Sequence, residues 1–345
     1  MKKFLLSGVA LLVLSASGFA NAATVYSSDN ASLDIIGRAK ANVNNNQAND
    51  VHRLSTTARL GVKGKTKVND TFSVFGGVLY DLSAQDSKVE DRIKIRTASI
   101  GFDASKFGSL SFGRFENAYY KTTAPTDLLT DYGNTGVTYW GISDNDYGGR
   151  MDGQALYEFS YEGFSLALSY NFKDSSKNIQ SGYSGTLGYE FDIAGNPLGF
   201  LAGYNRINGN NEGYDARGLY RGAGKTEFGA SVYFGSYGAP GVYAALVYNH
   251  GDLERTYRTD GVEAALAYTT PGGDWTFTGL YGYLKNQDQE RSGSKDSRFS
   301  SAWSGNITWN LTSNFNIYTE YENRAESILS PDAENIFTLG LIYNF

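Results

Sequence analysis

From about residue 32 onward the chain alternates apolar and polar side chains with a period of two, and its last segment, NIFTLGLIYNF (335–345), keeps that rhythm to the final residue. Phe337, Leu339, Leu341, Tyr343 and Phe345 fall on one face, with Ile336, Thr338, Gly340, Ile342 and Asn344 on the other. A period of two is the signature of a β-strand. Chain ends fray unless something holds them, so a strand that finishes on an apolar aromatic implies a partner for its last residue. Ile336 and Ile342 sit oddly on the polar face.

Sixteen segments share the pattern, beginning near 32, 52, 71, 92, 109, 153, 163, 182, 197, 225, 241, 260, 274, 298, 313 and 335. In SLDIIGRAKANV, Leu33, Ile35, Ala39, Ala41 and Val43 oppose Asp34, Arg38, Lys40 and Asn42. In HRLSTTARLGVKG, Leu54, Ala58, Leu60 and Val62 oppose Arg53, Ser55, Thr57, Arg59 and Lys63. No segment sustains a helical period over three turns.

Long polar connections (SAQDSKVED, KNQDQERSGSKDS) alternate with short ones (DASKFG, YEG, TTPGGD), and all five prolines lie in connections. A soluble sandwich does not account for this regularity. An even strand count, short turns on one rim and long loops on the other describe a transmembrane barrel. About 20 residues per strand and connection suits tilted strands that cross a bilayer. Closure is then a necessity, because an open sheet edge in lipid leaves backbone groups unpaired. The fold expected is all-β, an antiparallel transmembrane β-barrel of 16 strands. At that size side chains do not fill the lumen, so the polar faces line water.

The N-terminus agrees with an exported protein. A basic MKK, an apolar run and Ala20-Asn21-Ala22 form a secretory signal cleaved after Ala22. Two units follow, 1–22 as signal and 23–345 as barrel. Without cysteine, the exported chain relies on no disulfides. Its net charge of −6, more negative once Lys2 and Lys3 are removed, excludes a nucleic-acid coat. With only two histidines, far apart in sequence, no metal site or cofactor is expected.

One connection differs from the rest. Residues 115–151 are long for a compact fold, rich in aromatics, and carry Glu116, Asp127, Asp131, Asp144 and Asp146. APTDLLTDYG within it suits a single helical turn. Together with LDIIGRA, ARLGVKGKTKVND, IRTASIGFDASKFGSLSFGR, GGRMDG and the terminal YNF, this loop makes the chain resemble the general diffusion porins of Gram-negative outer membranes, the family of the enterobacterial matrix porins. The resemblance implies that the third loop folds into the lumen. Its acids, Asp127 and Asp131, would face a basic ladder of Arg38, Arg59, Arg96 and Arg150. The family's Pro-Glu-Phe-Gly-Gly becomes Thr130-Asp131-Tyr132-Gly133-Asn134 here.

The function implied is passive diffusion of ions and small hydrophilic solutes through a charged constriction. The acidic balance predicts modest cation preference. The resemblance further implies a homotrimer in outer-membrane lipid and lipopolysaccharide, with the terminal aromatics Tyr343 and Phe345 read by the assembly machinery. Small residues on the first strands (Ala39, Ala41, Ala58, Ser99) suit a subunit contact. Two alternatives stand beside the general porin. A sugar-specific channel requires a continuous aromatic track, for which Phe75, Ile100 and Phe102 are the inward candidates. A barrel hydrolase requires a catalytic histidine, for which His250 with Asp252 is the candidate.

Overall fold

The computed structural model describes residues 22–46, 51–83, 93–138, 149–174, 179–209, 213–214, 220–221, 224–253, 257–289 and 297–345, with the backbone alone at 51–52, 213–214 and 220–221. The expected signal segment, except Ala22, and the loop acids Asp144 and Asp146 lie outside the described residues.

Sixteen strands among the described residues form the wall. The first five are β1 (Ala31–Asn46), β2 (Val51–Lys67), β3 (Ser73–Ser83), β4 (Ile93–Asp103) and β5 (Ser109–Glu116). After the longest connection come β6 (Arg150–Tyr161), β7 (Phe164–Asn171), β8 (Ile179–Ile193), β9 (Asn196–Gly209) and β10 (Lys225–Phe234). The last six are β11 (Gly241–Leu253), β12 (Tyr257–Thr269), β13 (Trp275–Asn286), β14 (Arg298–Asn310), β15 (Phe315–Arg324) and β16 (Glu334–Asn344). Each pairs antiparallel with the next, and β16 returns to β1, with Leu339 opposite Val43 and Tyr343 opposite Ala39. The expected starts fall within a few residues of those observed. Parts of two polar stretches that read as connections, NNNQAND (44–50) and HGDLERTYR (250–258), belong to strands, because β1 runs to Asn46, β11 to Leu253 and β12 starts at Tyr257.

Closure answers the question posed by the C-terminus. Phe345 donates its N–H to the Gly37 carbonyl at 3.0 Å, and Gly37 donates to the Phe345 carbonyl at 2.7 Å. The Phe345 ring covers Gly37 so closely that an added Cβ would lie 2.2 Å from it. The short strand Ala23–Ser27 pairs with the next stretch of the same β1 edge, Ala23 opposite Ile35.

The alternation sorts the two faces as expected. On β16, Phe337, Leu339, Leu341 and Tyr343 are exposed outward, whereas Ile336 and Ile342 are 4% and 9% exposed. Both isoleucines are therefore inside and covered. Aromatics ring the outer surface, as in the Trp275–Trp309 stack at 5.3 Å and the Tyr183–Tyr204 stack at 6.1 Å, which suits the girdles of a membrane barrel.

On β4 the facing differs from expectation. Leu79 pairs with Thr97 but Tyr80 with Ile95, so Arg96 is an extra, bulged residue. A bulge shifts the parity of everything beyond it. Ser99, opposite Gly77, therefore faces the lumen, while Ile100 and Phe102 are exposed on the outside and only Phe75 points in.

Candidate functional site

Register alone assembles a basic wall. Arg38 on β1 pairs with Arg59 on β2, and Arg59 with Asp81 on β3. Arg59 donates from Nε to Asp81 Oδ1 at 2.8 Å, and Arg96 on β4 donates from Nη1 to Asp81 Oδ2 at 3.1 Å. Arg150, at the start of β6, bonds Glu116 at the end of β5 at 2.7 Å. Arg38 makes no ion pair among the described residues. The structure thus gathers all four expected arginines on neighbouring strands, four guanidinium groups against two carboxylates. Asp81 was missed by the sequence reading, although its lumen parity in FGGVLYDLS was available.

The described part of the long connection between β5 and β6, residues 117–138, turns inward. It opens with a single helical turn, α1 (Tyr120–Thr123), followed by a 3₁₀ turn at Ala124–Thr126. The 3₁₀ turn falls at the start of APTDLLTDYG, where Pro125 suits a first turn, and the α-helical turn precedes that stretch. Polar side chains of the wall hold this first stretch. Thr186 donates to the Ala118 carbonyl at 2.8 Å, Asn117 donates to Asn205 at 3.1 Å, and Tyr243 donates to the Pro125 carbonyl at 2.7 Å.

Residues 130–138 then dock on carboxylates. Thr130 and Asp131 donate their N–H groups to the two oxygens of Glu320 at 2.6 and 2.9 Å. Gly133 donates to Glu322 at 3.3 Å, and Gly136 to Glu263 at 3.0 Å. Backbone N–H groups buried in a barrel need acceptors, and a carboxylate supplies charge-assisted ones. These glutamates were not singled out in the sequence, and strand parity was the signal that placed them inside.

The two loop acids part company. Asp127 accepts from Tyr120 at 2.8 Å and from Asn134 at 3.0 Å, and has no cation partner among the described residues. Burial holds the Tyr120 phenol well above its ordinary pKa, and the Asp127 and Glu116 carboxylates add to this against Arg150, so Tyr120 remains a donor. Asp131 is bonded to none of the four arginines. It is bonded to Lys40 on β1, and it also accepts from Asn42 at 3.1 Å and Tyr318 at 2.5 Å. The Lys40 and Asp131 side chains are each 13% exposed. Lys40 shares the lumen face with Arg38, which was legible in the sequence, but its partnership with a residue 91 positions away was not.

The hydrolase candidate does not assemble. His250 lies on the outward face, stacked on Phe228 at 4.8 Å, and its Nδ1 is 2.6 Å from Asp260. Asp252 bonds Arg258 instead, at 3.0 Å.

Comparison with known proteins bears on the site. The family of Gram-negative porins matches residues 8–327. Relatives include the outer membrane protein YedS of Escherichia coli, 28% identical over 97% of both chains. The outer membrane porin PhoE of Klebsiella oxytoca is 26% identical over the whole of each. Among solved structures, OmpF of Salmonella typhi in complex with daunomycin superposes with a TM-score of 0.81 at 20% identity, covering 94% of this chain and 100% of that one. OmpT of Vibrio cholerae, described in a trimer form, gives 0.67 at 17% identity, covering 92% and 100%.

Proposed function

The chain belongs to the Gram-negative porin family, an outer-membrane channel for passive diffusion of ions and small hydrophilic solutes, and from that premise we propose that its selectivity is set where residues 117–138 cross the lumen. The observation that carries this reading is the docking of the loop on glutamates of β12 and β15 while Arg38, Arg59, Arg96 and Arg150 stand together across β1–β6. Carboxylates and guanidinium groups on opposite sides of a narrow aqueous path make a transverse field, focused by low-dielectric walls. Such a field orients dipolar solutes and performs no bond chemistry, so the protein is a channel and not an enzyme. Asp127 and the Arg38 ladder act on the passing ion, whereas Asp131, neutralised by Lys40, holds the loop tip in place.

The channel prefers cations modestly. Support comes from the net charge of −6 and from Asp127, which has no cation partner among the described residues. A reversal potential measured across a KCl gradient tests this, and clear anion preference overturns it.

The mature chain begins at Ala23 and assembles as a homotrimer through the outward face of β1 and β2. Ala39, Ala41 and Ala58 keep that face low, and OmpT offers a trimeric precedent. A monomeric mass in mild detergent refutes it. Tyr343 and Phe345 serve as the assembly signal, and the outward aromatics meet lipid and lipopolysaccharide.

A further inference from the structure

We propose that three glycines of the lumen wall, Gly251, Gly261 and Gly282, are positioning residues that set how deeply the loop is seated, and hence the width of the pore. The inference rests on the reading of the loop as the constriction.

The contact is backbone against backbone. A Cβ built on Gly261 would lie 2.0 Å from the Gly136 carbonyl oxygen, and one on Gly282 would lie 2.6 Å from the Gly136 nitrogen. The fit is reciprocal, since a Cβ on Gly136 would lie 2.2 Å from the Val262 carbonyl oxygen. Two residues on, Thr138 fills the space above Gly251, where an added Cβ would meet its side chain at 2.3 Å. None of these four glycines has a positive φ. Their backbone suits any residue, so what the positions require is the missing side chain.

Register pairs each gap with a hydrogen-bonding neighbour. Asn249 lies opposite Gly261, and Glu263 opposite Gly282. Gly136 donates to Glu263 at 3.0 Å and accepts from Asn249 at 2.8 Å, while Thr138 donates its N–H to Asn249 at 2.9 Å. Those bonds close only if the loop backbone reaches the wall, and the glycines permit that approach. Val137, between them, is fully buried. On the outward face of the same strand as Gly282, Gly279 has nothing within 4 Å of its built Cβ, so that position offers a glycine in this sheet that no loop approaches.

With the wall behind it, a loop forced off this seat moves toward the lumen axis, because packed backbone does not yield. Gly261→Val in the full chain is therefore expected to lower single-channel conductance and shrink the polymer exclusion limit. Gly279→Val, which adds the same side chain on the outward face, should leave both unchanged, with each barrel keeping its heat-modifiable migration. Wild-type conductance in Gly261→Val overturns the proposal. Should that variant fail to fold, Thr138→Cys with Gly251→Cys decides the matter in this cysteine-free chain. The built Cβ of Gly251 lies 2.9 Å from that of Thr138, a small shift from the roughly 3.8 Å of a disulfide. Oxidation is expected to cross-link the pair with conductance preserved, and absence of the cross-link overturns the seat. Deleting residues 128–137 separates the two levels. Unchanged conductance there defeats the constriction reading itself, whereas altered conductance there with none in Gly261→Val defeats only the glycine seat.

Discussion

Asp127→Asn tests the electrostatics of the channel most directly. The carboxylate accepts from Tyr120 and Asn134 and meets no cation among the described residues, so the substitution removes charge without breaking an ion pair. Asparagine keeps the shape, retains one acceptor, and leaves the Tyr120 hydroxyl free to rotate and accept from the new amide. An ion passing about 5 Å from the carboxylate, in a water-like dielectric, interacts with it by about 0.8 kcal/mol. Screening at about 0.1 M salt leaves about 0.5 kcal/mol. Losing that attraction for cations and that repulsion for anions changes each permeability about two-fold, and their ratio about five-fold. The assay is the reversal potential in a ten-fold KCl gradient across a planar bilayer, read beside conductance to check that the aperture is intact. A ratio unchanged within error while conductance stays at wild type refutes Asp127 as a selectivity group.

Lys40→Met has the opposite sign: it strips Asp131 of its counter-ion, costs about 1–3 kcal/mol of local stability, and raises cation preference in the same assay. Glu320→Gln leaves one carbonyl oxygen for the two loop N–H groups of Thr130 and Asp131, so open-channel noise should rise while the unfolding temperature of the barrel stays put. Equal noise in variant and wild type counts against the carboxylate as the loop's anchor. Deleting Phe345 removes two backbone hydrogen bonds and the ring over Gly37, so a smaller fraction should reach the heat-modifiable folded form on refolding. An undiminished folded yield refutes a role for that residue in closing the barrel.

The barrel was legible in the sequence because facing is a local property. Successive strand residues point to opposite sides, so Arg38 and Arg59 were assigned to the lumen, and Leu339 and Tyr343 to the membrane, without knowledge of any distant residue. Where parity itself was locally broken, at the Arg96 bulge, Ser99 and Ile100 were assigned to the wrong faces. The strand count and the closure implied by NIFTLGLIYNF followed from the same short-range pattern, whereas the excursion of the third loop into the lumen followed from the resemblance to the porins. Which lumen groups meet did not. Asp131 finds Lys40, Gly136 lands on Gly261, and Glu320 receives the loop's N–H groups across sequence separations that carry no periodic signal. Those pairings depend on how far around the wall the loop travels before it turns back. That path is set by where a missing side chain lets one backbone touch another, a condition on three-dimensional space that a one-dimensional pattern does not contain.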